Sequence, residues 1–137
     1  MSTTLKNMSI AFAAGAVGAL ANSIVVWLVG LAGITAAVGV AIAPHLSAAW
    51  LYPRIVWGGM WGLLFLLRLP RGGPIVRGLV LSLAPSLFLL LYVFPEMEGK
   101  GRLGISLGAL TPVFVLFYNA VWGVTAALWL RAVRSGL

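Results

Sequence analysis

Four apolar runs, none holding an aspartate, glutamate or lysine, constrain this chain more than any other feature of its sequence. They cover about residues 8–32, 49–68, 75–94 and 105–130. A helix rising about 1.5 Å per residue needs roughly 20 residues to cross a hydrocarbon layer about 30 Å thick, so each run is long enough. Of 137 residues, 62% are hydrophobic and 8% charged, too few polar groups to cover the apolar surface of a fold in water. The expected solvent is the bilayer. The expected fold is an all-α membrane protein: a four-transmembrane-helix bundle with a short interfacial helix between helices one and two, forming a single integral membrane domain over residues 1–137.

Charge sets the expected orientation. The formal net charge is +7, and the basic residues cluster at the ends of the apolar runs. Lys6, Arg68, Arg71, Arg77, Arg131 and Arg134 fall on one side of the layer, and Arg54, Lys100 and Arg102 on the other. That bias predicts an inner-membrane, multi-pass protein with both termini in the cytoplasm, in contact with anionic headgroups. No basic stripe tracks a phosphate backbone, so nucleic acid is not an expected partner. The polar start Met1–Asn7 leads into a run too long for a cleaved signal segment, so it is read as a spanning helix.

The first span carries Ala11, Gly15, Gly18 and Asn22 at i, i+4, i+7 and i+11, on one side of a helix. Small residues there let another backbone approach, which marks a packing seam. The second holds Gly58 and Gly62 at the same spacing, with Arg54 one turn away on that stripe; Gly123 belongs to the fourth. A helix pair repeats weakly: Arg54-Ile-Val-Trp-Gly58 matches Asn119-Ala-Val-Trp-Gly123 at an offset of 65, and Leu20-Ala-Asn-Ser23 matches Leu83-Ala-Pro-Ser86 at 63. Packing within one bundle and packing between copies would use these glycines equally well.

Gly33–Ser47 is apolar but too short to span. It could extend helix one, re-enter the layer or lie at the interface; the interfacial helix is preferred, since re-entrant backbone needs burial in protein or a wet lining. Pro85 is expected to kink helix three, with Ser82 and Ser86 satisfying the freed backbone.

The chemistry is sparse. With no cysteine and one histidine, His45, no metal site or cofactor is expected. The two acids, Glu96 and Glu98, sit close together in one loop. No acid and base converge, so no enzymatic activity is expected. Without an acid in any span, proton-coupled export and an acidic pore ring also lack their groups. The candidate intramembrane polar site is Arg54, Asn22, Asn119 and Tyr118, with Ser23 and Thr111 at similar depth. An arginine at the bilayer centre costs about 2.5–3.5 kcal/mol on insertion scales, so Arg54 either snorkels to the headgroups or faces the bundle. Two functions follow as expectations. One is a non-catalytic packing or accessory subunit, associating with itself or a larger membrane complex through its glycine faces. The other is a homo-oligomeric permeation protein for a neutral or anionic small solute.

Overall fold

Backbone capping and proline placement define the helix ends in the computed structural model, which describes residues 2–67 and 71–136. The Ser2 hydroxyl accepts the Leu5 N–H at 3.1 Å and starts α1, Thr3–Leu31. Gly33, left-handed at φ 79°, stops it. Ser47 caps α3, Ala48–Gly62, by accepting the Trp50 N–H at 3.2 Å. Pro74 opens α4, Pro74–Leu81, where its missing N–H has no helical partner to lose. After a bend at Ser82 come α5, Leu83–Phe88, a π-helical stretch, Leu89–Met97, and finally α6, Thr111–Gly136. The described residues are 81% helix, with no strand among them. Among the described residues, three helices are long and apolar enough to cross a membrane: Thr3–Leu31, Pro74–Met97 and Thr111–Arg134.

Several boundaries differ from the expected ones, each for a local reason. The expected helix over 49–68 is α-helical for only 15 residues and then tightens into a 3₁₀ turn, Leu63–Leu66. Arg68 and the turn at Pro70 lie outside the described residues. The backbone widens into the π form from Leu89 and runs on to Met97, past Pro95, which has no N–H to give to a helical ladder. The last helix starts at Thr111 rather than near Ile105, because Leu103 and Gly104 are left-handed and break Arg102–Leu107 into tight turns. Between α1 and α3, helix is limited to the single turn α2, Ile34–Ala37. The rest of that connection is extended and tied inward: the Thr35 hydroxyl donates to the Ile42 carbonyl and the Ala41 N–H to the Leu107 carbonyl, both at 2.8 Å. Pro85 has no N–H for the Leu81 carbonyl one turn back, and the two serines bond elsewhere: the Ser86 hydroxyl donates to the Ser82 carbonyl and the Ser82 hydroxyl to the Leu79 carbonyl.

Small residues set the packing. α3 lies on α1, α1 on α6, and α6 on α4. A Cβ added at Gly62 would fall 2.7 Å from the Gly15 Cα, and one added at Gly18 would fall 2.5 Å from the Trp122 carbonyl oxygen. Backbone meets backbone at both seams.

The two hairpins repeat in space as they do in sequence. A Cβ on Gly58 would meet Ala19 and the Gly15 carbonyl; one on Gly123, 65 residues on, would meet Ser82 and the Gly78 carbonyl, 63 residues on from Ala19 and Gly15. The α1–α3 contact thus recurs as α4–α6. The contacts across the halves do not recur. Gly18 and Ala126 let α1 and α6 close together around Trp122, whereas the corresponding positions between α4 and α3 are Leu81 and Trp61. Along that flank α3 and α5 stay apart, bridged by the Trp61 and Phe88 rings at 5.5 Å. Below them Arg77 donates to the carbonyls of Phe65 at 3.3 Å and Leu67 at 2.8 Å.

The outer surface is apolar along its helices: Leu20, Ile24, Val56, Leu83, Leu87, Leu91, Phe117 and Leu128 are all exposed. A surface of that kind belongs in lipid. Arg71, Arg77, Arg131 and Arg134 gather with Asn7 around depressions at the end of the bundle where α1 begins and α6 ends.

Candidate intramembrane polar site

Arg54 does not snorkel along α3 to the outside. One turn beyond Arg54, Gly58 packs against Ala19 and Gly15 of α1, and the guanidinium is directed across that seam. Its Nε donates to the Ser23 hydroxyl at 2.9 Å and its Nη2 to the Asn22 Oδ1 at 2.6 Å. The Trp50 ring, one turn earlier on the same helix, lies 4.6 Å from the guanidinium carbon and covers one face of the cation. Asn22 is the pivot: its amide oxygen takes Arg54, and its Nδ2 donates to the Tyr118 carbonyl on α6 at 2.6 Å. One buried amide thereby joins three helices.

The second half carries a neutral counterpart. Asn119, aligned with Arg54, donates through Nδ2 to the Ser86 hydroxyl at 3.0 Å, and Ser86 is aligned with Ser23. The same helix-to-helix polar contact therefore occurs twice, once with a charge. Tyr118 contributes its carbonyl to this network and its ring to a cavity wall; its hydroxyl is buried without a hydrogen-bond partner. The Thr111 hydroxyl is likewise buried and unpartnered.

Two cavities meet at these groups. One, of about 450 Å³, lies toward the loops and is lined by Trp50, Arg54, Lys100, Tyr118 and the folded-back Ala41–Pro44. The other, of about 350 Å³, occupies the gap between α3 and α5, with walls of Trp57, Trp61, Phe88 and Val93. Asn22, Arg54, Leu89, Glu98 and Asn119 line both. Polar side chains that could hold a solute thus stand where two spaces join.

Of the residues singled out from sequence, Arg54, Asn22, Asn119 and Tyr118 all line the larger cavity. Gly15, Gly18, Gly58, Gly62 and Gly123 lie at helix contacts within the chain. Three participants were not foreseen. Gly78 meets Gly123, and the 63-residue offset from Gly15 would have pointed to it. Trp122 donates its indole N–H to the Gly15 carbonyl at 3.0 Å, holding α6 to α1. Glu98 reaches both cavities because the π-helical stretch carries the chain past Pro95, which no local sequence signal announces. No family model matches the chain, and no curated protein or solved structure matches it.

Proposed function

We propose that the protein is a small permeation protein that takes a neutral or anionic small solute into its bundle at Arg54. The observation that carries this reading is the direction of the guanidinium, which is bonded to Ser23 and Asn22 and faces two joined cavities. A membrane cation whose hydrogen bonds go to neutral groups, as those of Arg54 do, is costly, and such residues characteristically mark ligand or ion pathways. The other reading, an accessory subunit docking through glycine faces, has less support: those glycines already contact helices of the same chain.

The topology that goes with this proposal has four crossings. The 15 α-helical residues of α3 and the four 3₁₀ residues after it rise together about 30 Å, since the tighter helix gains about 2 Å per residue. The arginine-rich end, where α1 begins and α6 ends, faces the cytoplasm of an inner membrane by the positive-inside bias. Assembly into a homo-oligomer belongs to the same reading.

Reconstitution tests it. The purified protein, its mass in detergent determined, is placed in liposomes and assayed for flux of chloride, acetate, phosphate and the neutral solutes glycerol and urea beside Arg54→Gln. Flux at least fivefold above empty liposomes, lost in the variant, supports the proposal. Flux at the level of empty liposomes from both proteins refutes it.

A further inference from the structure

The flank where the two halves fail to close is an opening toward lipid, and its lining has a particular chemistry. Between α3 and α5 the walls are aromatic and apolar: Trp57, Trp61, Phe88, Val93 and Met97. Trp57 is 53% exposed, whereas Trp122, aligned with it in the other half, is 3% exposed and sealed between α1 and α6. The cleft therefore continues from the lipid-facing surface inward to Arg54 and Asn119.

Its charges have opposite signs. Arg54 and Glu98 both line the cleft, and Lys100 joins them in the larger cavity. Arg54 directs its hydrogen bonds to Ser23 and Asn22 and not to Glu98, which leaves one anionic and one cationic position at the head of an apolar slot. A purely anionic ligand would meet Arg54 favourably and Glu98 unfavourably. A ligand carrying both charges would satisfy both.

We infer that the cleft between α3 and α5 admits, sideways from the bilayer, a zwitterionic amphiphile of the aminophospholipid class, its phosphate toward Arg54, its ammonium toward Glu98 and its chain along Trp57, Trp61 and Phe88. The inference rests on the reading of Arg54 as the ligand-holding residue and goes beyond a small water-borne solute to a lipid. Tryptophan and phenylalanine walls supply chain contact at low cost in side-chain entropy, and a cation on Arg54 with two fixed acceptors is already oriented for a phosphate.

The test uses the full-length protein in liposomes with two photoactivatable lipids of identical diazirine-bearing chain: a lysophosphatidylethanolamine and a lysophosphatidate. Labelled peptides are mapped by mass spectrometry. Labelling concentrated on residues 57–61 and 88–93, and competed by unlabelled lysophosphatidylethanolamine, is expected. Arg54→Gln lowers it at least fivefold for both lipids. Glu98→Gln lowers it at least fivefold for the ethanolamine lipid and not for lysophosphatidate. Val93→Trp narrows the cleft without touching Arg54 and lowers labelling by both, which covers the case of a poorly folded Arg54 variant. Unchanged ethanolamine-lipid labelling in Glu98→Gln overturns the inference while the Arg54 reading stands. Even, uncompeted labelling that includes lipid-facing Phe117 and Leu128 also overturns it. Indifference of both lipids and of anion flux to Arg54→Gln removes the proposed function as well.

Discussion

Gly15→Ala is the most demanding perturbation of the α1–α3 seam. The new Cβ would lie 2.7 Å from the Gly62 Cα and 2.8 Å from the Gly62 nitrogen, and closer still to the Gly58 carbonyl oxygen. Ordinary carbon contacts are about 3.5–4.0 Å, so α3 must withdraw by roughly 1 Å, because backbone atoms cannot swing aside. Overpacking of this kind costs about 1–3 kcal/mol. The same withdrawal stretches the Arg54–Asn22 bond from 2.6 Å beyond hydrogen-bonding range, and a lost bond to a charged group adds about 1.5–3 kcal/mol. Gly78→Ala makes the equivalent clash, 2.6 Å from the Gly123 carbonyl carbon. The polar bond beside it is the neutral Asn119–Ser86 pair, worth only about 1 kcal/mol. Gly73→Ala meets nothing within 4 Å. The expected order of destabilisation is Gly15→Ala, then Gly78→Ala, then Gly73→Ala, with a total of about 2.5–6 kcal/mol for the first, about 2–4 kcal/mol for the second and under about 1 kcal/mol for the last. Reversible unfolding in mixed detergent and dodecyl sulfate, followed by helical ellipticity, measures it. A Gly15→Ala protein within about 0.5 kcal/mol of the parent, or no more affected than Gly73→Ala, would show that the seam is looser than drawn.

Three further substitutions probe separate contacts. Asn22→Ala removes the acceptor of Arg54 and the donor to the Tyr118 carbonyl together, so it should cost about 2–4 kcal/mol in the same titration, well above the roughly 1 kcal/mol expected for Asn119→Ala. Trp122→Phe keeps most of the ring volume but deletes the bond to the Gly15 carbonyl; a loss of about 1 kcal/mol is expected, and an unchanged midpoint would mean that the indole N–H contributes nothing net. Gly108→Ala places a Cβ 3.0 Å from the Val40 Cα at φ 143°, a region almost restricted to glycine. The folded-back connection should loosen, read as faster protease cleavage within residues 38–47.

Much of this was legible along the chain. The seam residues Gly15, Gly18, Gly58 and Gly62 announced themselves by helical spacing, because helix geometry fixes which neighbours share a face. What was hidden depends on how the helices are arranged. Arg54 had two orientations open to it on local grounds, and only the position of Asn22 and Ser23 on the facing helix selects the inward one. The tightening at Leu63–Leu66 and the widening at Leu89–Met97 change the reach of their segments by a few ångströms. The second of them carries Glu98 into the site. A hydropathy pattern reports the solvent of a segment and is blind to such adjustments.

The donor and acceptor inventory of the two halves explains why the repeat diverges beside its polar pair. A guanidinium has five N–H donors and a carboxamide two. In the second half, Asn119 gives one hydrogen to Ser86, and the position aligned with Asn22 holds Pro85, which offers no side-chain acceptor. In the first half, the serine alone would leave the arginine badly short, and Asn22 supplies the second acceptor. Proline at position 22 would strip Arg54 of that partner and also free the Tyr118 carbonyl. The change from Asn119 to Arg54 and the change from Pro85 to Asn22 are therefore one physical change, and two bonds still leave three guanidinium donors for whatever occupies the joined cavities. A bundle that needed only rigidity would be served by the neutral pair in both halves, since burying a charge costs more than it returns unless its hydrogen bonds are met. The excess donors at Arg54 are the reason to look for a ligand there and not at Asn119.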